Sequence, residues 1–162
     1  GVLDSLQRFD EADYERAFSH YLTGKQREFV GQWDLALEEY QTAASLTMDN
    51  SLFLAAQGLV YIKTKLLTEA ELFLQQSLEL NPNQAEALYG MGLLRGEQKE
   101  YEQAIAFLQR ALQSDEKNAR THYALAIQYH NLGRTNEAQE HIRRARELGL
   151  TIDDEFLAPP GS

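Results

Sequence analysis

The side chains most able to do chemistry in this chain are its histidines, His20, His122, His130 and His141. No two of them stand four residues apart, the spacing that places two imidazoles on one metal ion along a helix. The 162-residue sequence contains no cysteine, which excludes disulfides, thiolate catalysis and zinc sites ligated by sulfur. The histidines are therefore predicted to be packing or surface residues, and no metal site is expected.

Carboxylates occur next to each other, as in Glu38 with Glu39 and Asp153 with Asp154. Successive side chains on a helix point about 100° apart, so the two members of such a pair diverge. No nucleophile, glycine-rich phosphate loop or acid–base couple stands beside them. The sequence predicts no catalytic residue and no cofactor, and we do not expect an enzyme.

The elements that carry these residues follow a 34-residue period from Ala17 to Ile152. Apolar residues within each half of a copy stand three and four positions apart, which indicates helices. Each copy is predicted to be two antiparallel helices that cross at small residues, and stacking of the copies supplies the core. Two columns of small residues recur: Gly24, Gly58, Gly92 and Ala126, then Ala36, Ala70, Ala104 and Ala138.

The copy at 85–118, AEALYGMGLLRGEQKEYEQAIAFLQRALQSDEKN, resembles a tetratricopeptide repeat, and the resemblance extends over 17–152. It implies an all-α fold, a right-handed α-solenoid of antiparallel helix hairpins. The expected organisation is an N-terminal capping helix or degenerate half-repeat at 1–16, four repeats at 17–50, 51–84, 85–118 and 119–152, and a C-terminal tail at 153–162.

Both flanking segments carry apolar residues. Val2, Leu6 and Phe9 stand at helical spacing ahead of Asp10, which is predicted to be the N-cap of a long first helix. In the tail, Phe156 and Leu157 precede two prolines. The tail is expected either to fold back over the last hairpin or to dock in an apolar groove, its own or that of another copy.

The resemblance also implies that the first helix of each hairpin builds a concave wall that binds a protein partner. Partner-binding residues carried over to this sequence are Phe18, Tyr21, Leu22, Lys25, Ala55, Leu59, Ile62, Tyr89, Leu93, Tyr123, Ile127 and His130. Leu59, Leu93 and Ile127 share one position of three successive copies and are predicted to form an exposed aliphatic row. A wall covered by the chain's own flanks is the alternative.

Within the family, the wall resembles that of members that receive a hydrophobic segment or an amphipathic helix. It lacks the clamp of Lys and Asn residues with which chaperone adaptors hold a C-terminal carboxylate. The expected function is a non-enzymatic interaction module or assembly chaperone whose partner is a protein or peptide with an apolar segment. The alternative is a self-associating scaffold segment of a larger repeat protein, in which tail or groove joins copies of the chain.

The net charge of −10 argues against nucleic acid as a partner, because such proteins need a clustered cationic surface. No apolar run approaches the roughly 20 residues of a membrane span, so direct membrane insertion is not expected. The sequence predicts a soluble chain and leaves cytoplasm and periplasm equally open.

Overall fold

The computed structural model describes residues 1–153, apart from the side chains of 5–9. Eight helices and no strand occupy that part of the chain, which confirms the predicted all-α class. The helices are α1 (Val2–Phe29), α2 (Trp33–Leu46), α3 (Ser51–Lys63), α4 (Leu67–Leu80), α5 (Ala85–Glu97), α6 (Tyr101–Ser114), α7 (Ala119–Asn131) and α8 (Thr135–Glu147).

Tight turns join α1 to α2, α3 to α4, α5 to α6 and α7 to α8. Each turn contains one residue with positive φ, and these residues recur 34 positions apart: Gly31 (76°), Lys65 (65°), Lys99 (62°) and Gly133 (73°). The left-handed conformation lets backbone N–H groups reach back to the last carbonyls of the preceding helix, as Gly133 N–H does to His130 O at 2.9 Å. Two of the four turns thus place a lysine where glycine is favoured.

The predicted small residues lie where paired helices cross. A Cβ added to Gly58 on α3 would stand 2.7 Å from Leu74 Cγ on α4. One added to Gly92 on α5 would stand 2.5 Å from Leu108 Cγ and 3.3 Å from the carbonyl oxygen of Ala104 on α6. Neither site has room for a methyl group, so glycine sets the close approach of the two helices.

The chain divides into two compact units, a first unit of residues 1–90 and a second unit that starts at Met91. The first unit has an aromatic core in which Tyr40 and Phe53 are fully buried. The core of the second unit is largely aliphatic, with Leu108, Leu125 and Ile142 buried. The described part of the second unit extends to residue 153.

Helix α1 runs without a break from Val2 to Phe29, so the prediction that Asp10 begins the helix is wrong. The sequence between Val2 and Asp10 contains neither glycine nor proline, and nothing there stops the helix from extending toward the N-terminus. Asp10 is an exposed residue inside the helix. Whether 1–16 acts as a cap or as a degenerate half-repeat stays a prediction. The predicted docking of Phe156 and Leu157 lies outside the described residues.

Candidate functional site

The predicted partner-binding residues of the first helix lie along one face of α1. Phe18, Leu22 and Lys25 are spaced by four and three residues, which places them on the same side of the helix. Phe18 is 37% exposed and Leu22 is 49% exposed, so two apolar side chains of this face meet solvent. We call the solvent-exposed side of α1 that carries Phe18, Leu22 and Lys25 the α1 face.

Aromatic packing holds the α1 face in place. Phe18 lies 5.3 Å from Tyr21 and 6.3 Å from Tyr14 between ring centroids. Tyr21 packs in turn 5.7 Å from Tyr40 of α2 and 5.7 Å from Phe53 of α3. Rings at these separations interact favourably beyond the area they bury. The exposed residues therefore stand on a rigid aromatic support, with Tyr21 half-buried between surface and core.

Lys25 belongs to a polar cluster centred on Glu28, a carboxylate that is almost fully buried. Tyr40 donates a hydrogen bond from its hydroxyl to Glu28 Oε2 at 2.8 Å, and Lys63 Nζ donates to Glu28 Oε1 at 3.0 Å. Lys25 Nζ lies 3.6 Å from Glu28 Oε2. The cluster joins α1, α2 and α3, so its residues serve the packing of the first unit.

Electrostatics keep the Glu28 carboxylate ionised. Burial by itself would raise its pKa, but Lys25 and the hydrogen bonds from Tyr40 and Lys63 hold the pKa of Glu28 below its usual value. The same arrangement raises the pKa of Tyr40, because its hydroxyl is buried and donates to a carboxylate. Neither Glu28 nor Tyr40 is poised to accept or release a proton near neutral pH, which argues for a structural role.

The predicted residues of α3 lie in the core. Ala55, Leu59 and Ile62 are all buried, and Leu59 is only 5% exposed. The sequence predicted that Leu59 belongs to an exposed aliphatic row, and this prediction is wrong for Leu59. The physical reason is Gly90 on α5, whose added Cβ would stand 3.3 Å from Leu59 Cδ2. Because Gly90 has no side chain, the neighbouring helix covers Leu59.

The other predicted positions are neither fully buried nor fully exposed. Tyr89 in the first unit is half-buried, and so are four residues of the second unit. These four are Leu93, Tyr123, Ile127 and His130. Each unit thus offers part of the predicted surface, and the most exposed apolar members are those of the α1 face.

Two histidines that the sequence left apart meet in the second unit. The Nδ1 atoms of His122 on α7 and His141 on α8 are 3.0 Å apart. His122 Nε2 is 3.2 Å from the carbonyl oxygen of Glu116, so it carries a proton and donates. In the neutral ring Nδ1 of His122 is then the acceptor, and His141 donates to it. Burial and the neighbouring His122 lower the pKa of His141, against an opposing effect of Glu140.

The repeat itself contained the signal for this contact. His122 and His141 are 19 residues apart, and so are His20 and Glu39, whose Nδ1 and Oε2 atoms are 2.7 Å apart in the first unit. Both pairs join equivalent positions, 102 residues apart along the chain. A search for paired polar residues at that offset within each copy would have found both.

The described residues contain no group of three or more His, Asp or Glu side chains that could hold a metal ion. His122 is in hydrogen-bond contact with His141 and with the Glu116 carbonyl, so the arrangement serves to hold the helices together. Across residues 1–153, no helix combines the length and the apolar character that crossing a bilayer requires.

Sequence reasoning missed a cleft between α1 and the loop that joins α2 to α3. Its volume is about 620 Å³. Tyr14 and Met48 supply apolar surface, and Met48 is 94% exposed. Acidic residues surround them: Asp10, Glu11, Glu15 and Asp49. We call this feature the acidic cleft.

Comparison with known proteins supports the repeat interpretation. Sequence profiles of the tetratricopeptide repeat match residues 53–84, 73–106 and 97–150. The chain is 36% identical over 90 residues to the photosystem I assembly protein Ycf3 of Acaryochloris marina, a match that covers 52% of this chain and 54% of that protein.

Solved structures share the fold. The structure of MamA is similar with a TM-score of 0.62 at 20% identity, over 91% of this chain and 86% of that one. The Cut9–Hcn1 hetero-tetramer of the APC/C is similar with a TM-score of 0.75 at 22% identity, over 82% of this chain and 27% of that one. The chain spans between 18% and 54% of the length of the curated relatives it matches. Together, the matched profiles and the shared fold show that this chain belongs to the tetratricopeptide repeat family.

Proposed function

We propose that the chain is a non-enzymatic interaction or assembly module that binds a protein partner through an apolar segment of that partner. The observation that carries the proposal is the α1 face, where Phe18 and Leu22 meet solvent next to each other. Exposed apolar side chains that stand on a well-packed helix are typical of binding surfaces rather than of folding cores.

The relatives support the assembly part of the proposal. Ycf3 is named as a photosystem I assembly protein, and Cut9 and Hcn1 form a hetero-tetramer. Both names describe proteins that work by contact with other proteins. The partner of this chain is proposed to be a protein or peptide, with no cofactor and no nucleic acid.

The α1 face accounts for how such a partner would be held. Its support by Tyr14, Tyr21 and Phe53 fixes Phe18 in position, so little side-chain freedom is lost on binding. Leu22 stands one helical turn further on and extends the apolar contact. A partner helix that presents leucine, isoleucine or phenylalanine along one side would match this spacing.

The test is a selection of displayed peptides on the immobilised chain, followed by affinity measurement with the wild type and two variants. Leu22→Asp places a charge in the apolar contact and should weaken the selected peptides by about tenfold or more, because a buried contact at the centre of an interface contributes about 2 kcal/mol or more. Gln41→Asp adds the same charge at an exposed position of α2 and should bind as the wild type does.

Equal affinity of Leu22→Asp and wild type for apolar peptides would contradict the proposal. Circular dichroism of both variants checks that their helices are intact. The second candidate function is self-association, which the same variant addresses. A dimer in light scattering that Leu22→Asp converts to a monomer would favour the scaffold interpretation, with the α1 face as the contact between copies.

A further inference from the structure

The α1 face changes character along the helix. Glu11 and Glu15 precede Phe18 by seven and three residues, so they share the side of the helix that carries Phe18 and Leu22. Both glutamates also line the acidic cleft. One continuous helix surface therefore leads from a carboxylate-lined cleft to an exposed apolar pair, with Tyr14 between them.

The carboxylates of the acidic cleft have no basic partner among the described side chains. Asp13, by contrast, forms an ion pair with Arg16 on the same helix. Burial and the nearby Asp49 raise the pKa of Tyr14, which lines the cleft. The cleft thus places carboxylates next to apolar surface, and Met48 in its lining is exposed to solvent.

The charge of the first unit limits what can occupy this surface. Residues 1–90 contain 14 Asp and Glu against six Lys and Arg. A second copy of the chain would bring the same excess of negative charge to the contact, and an acidic peptide would do likewise. A cationic segment gains from both features, since its charges meet the carboxylates while its apolar side chains meet Phe18 and Leu22.

We propose that the α1 face and the acidic cleft together bind a cationic amphipathic helix, with its Lys or Arg side chains in the cleft and its apolar side chains on Phe18 and Leu22. The inference rests on the proposed function and specifies the class of partner. Glu11 and Phe18 are separated by about 10 Å along the helix axis. The partner helix is therefore expected to carry its basic and apolar residues about seven positions apart.

Two synthetic peptides of about 18 residues, long enough for five helical turns, serve as probes. One carries Leu and Phe along a single face and two Arg residues at one end of that face. The other is identical except that Gln replaces each Arg. At about 50 mM salt, where surface charges are weakly screened, the Arg peptide should bind about tenfold tighter. The difference should shrink at about 500 mM salt.

A variant without the four cleft carboxylates tests whether they cause the tighter binding of the Arg peptide. It leaves Phe18 and Leu22 in place, so only the preference for the Arg peptide should disappear. The substitutions are Asp10→Asn, Glu11→Gln, Glu15→Gln and Asp49→Asn.

The matched control loses the same number of charges elsewhere in the first unit. It should keep the preference for the Arg peptide, and melting temperatures of both variants check that they are folded. The exposed positions changed are Asp34→Asn, Glu38→Gln, Glu69→Gln and Glu79→Gln.

The outcomes separate this inference from the proposed function. If both peptides bind equally and Leu22→Asp weakens both, the α1 face binds apolar segments but the cationic partner is wrong. An equal loss in the control variant would reduce the effect to net charge and overturn the inference. Failure of both peptides to bind would contradict the proposed function as well. A dimer that excludes the peptides would assign the surface to a second copy and overturn the inference.

Discussion

The two units carry polar clusters of different chemistry at different positions of the repeat. In the first unit, Glu28 stays ionised because two lysines and Tyr40 surround it. In the second unit, the Nδ1 atoms of His122 and His141 are in hydrogen-bond contact, and His122 also contacts the Glu116 carbonyl. The comparison shows that the same repeat backbone accommodates a carboxylate–lysine cluster in one place and a pair of imidazoles in another, each held by hydrogen bonds between helices.

The clusters should respond to acid at different pH values. The folded pKa of His141 lies below 6.5, so the unfolded chain binds a proton first and stability falls as the pH drops below about 6.5. The folded pKa of Glu28 lies below 4.5, so its contribution is present above about pH 4.5 and is lost as the pH falls through the folded pKa. Acid is therefore expected to weaken the second unit before the first.

The largest effect is expected from Glu28→Ala. The change removes the acceptor of the buried Tyr40 hydroxyl, and leaving that hydroxyl unpaired costs about 1–3 kcal/mol. It also removes the partner of Lys63, which is half exposed and adds little because water can replace Glu28 there. Urea unfolding followed by fluorescence of Trp33, the single tryptophan, reports on the first unit. Glu28→Gln keeps an acceptor and should cost less. Equal losses for both variants would assign the effect to the lost negative charge rather than to the hydrogen-bond acceptor.

A smaller and pH-dependent effect is expected from His141→Phe. Phenylalanine keeps the ring volume and removes the imidazole, whose pKa is lowered by burial and by His122. The variant should lose the fall in unfolding free energy between about pH 6.5 and pH 5 that the wild type shows. Circular dichroism measures this slope over the whole chain, whereas Trp33 fluorescence should not change with the variant. His20→Gln in the first unit is the control, and a slope that survives in His141→Phe would contradict the prediction.

The smallest effect concerns the tight turns within the helix pairs, of which each unit has one with glycine and one with lysine at positive φ. Lys99→Gly should raise the free energy of unfolding by about 0.5–1 kcal/mol, because it relieves a left-handed lysine at some cost in unfolded-state entropy. Lys99→Ala keeps the strained backbone and controls for loss of the charge. Gly133→Ala should lower stability by about 1 kcal/mol, since a Cβ there meets no atom within 4 Å and only the backbone is affected.

The sequence predicted the class and the helix crossings because both depend on local periodicity. Small residues such as Gly58 and Gly92 recur at fixed spacing, and their role as crossing points is readable from that spacing alone. The part of the candidate site on α1 was predicted from the family resemblance. Phe18 and Leu22 stand where the family resemblance placed them, and the structure leaves them exposed. Their role in binding stays a prediction.

Exposure at the other positions was decided by tertiary structure. Leu59 has the same sequence pattern as an exposed groove residue, but Gly90 on another helix lets the chain close over it. The start of α1 depended on the absence of a helix stop rather than on the presence of the cap-like Asp10. The contact of His122 with His141 required two helices to pack in one register. Periodicity sets which face of a helix is apolar, whereas burial depends on what packs against that face, and that information lies in distant residues.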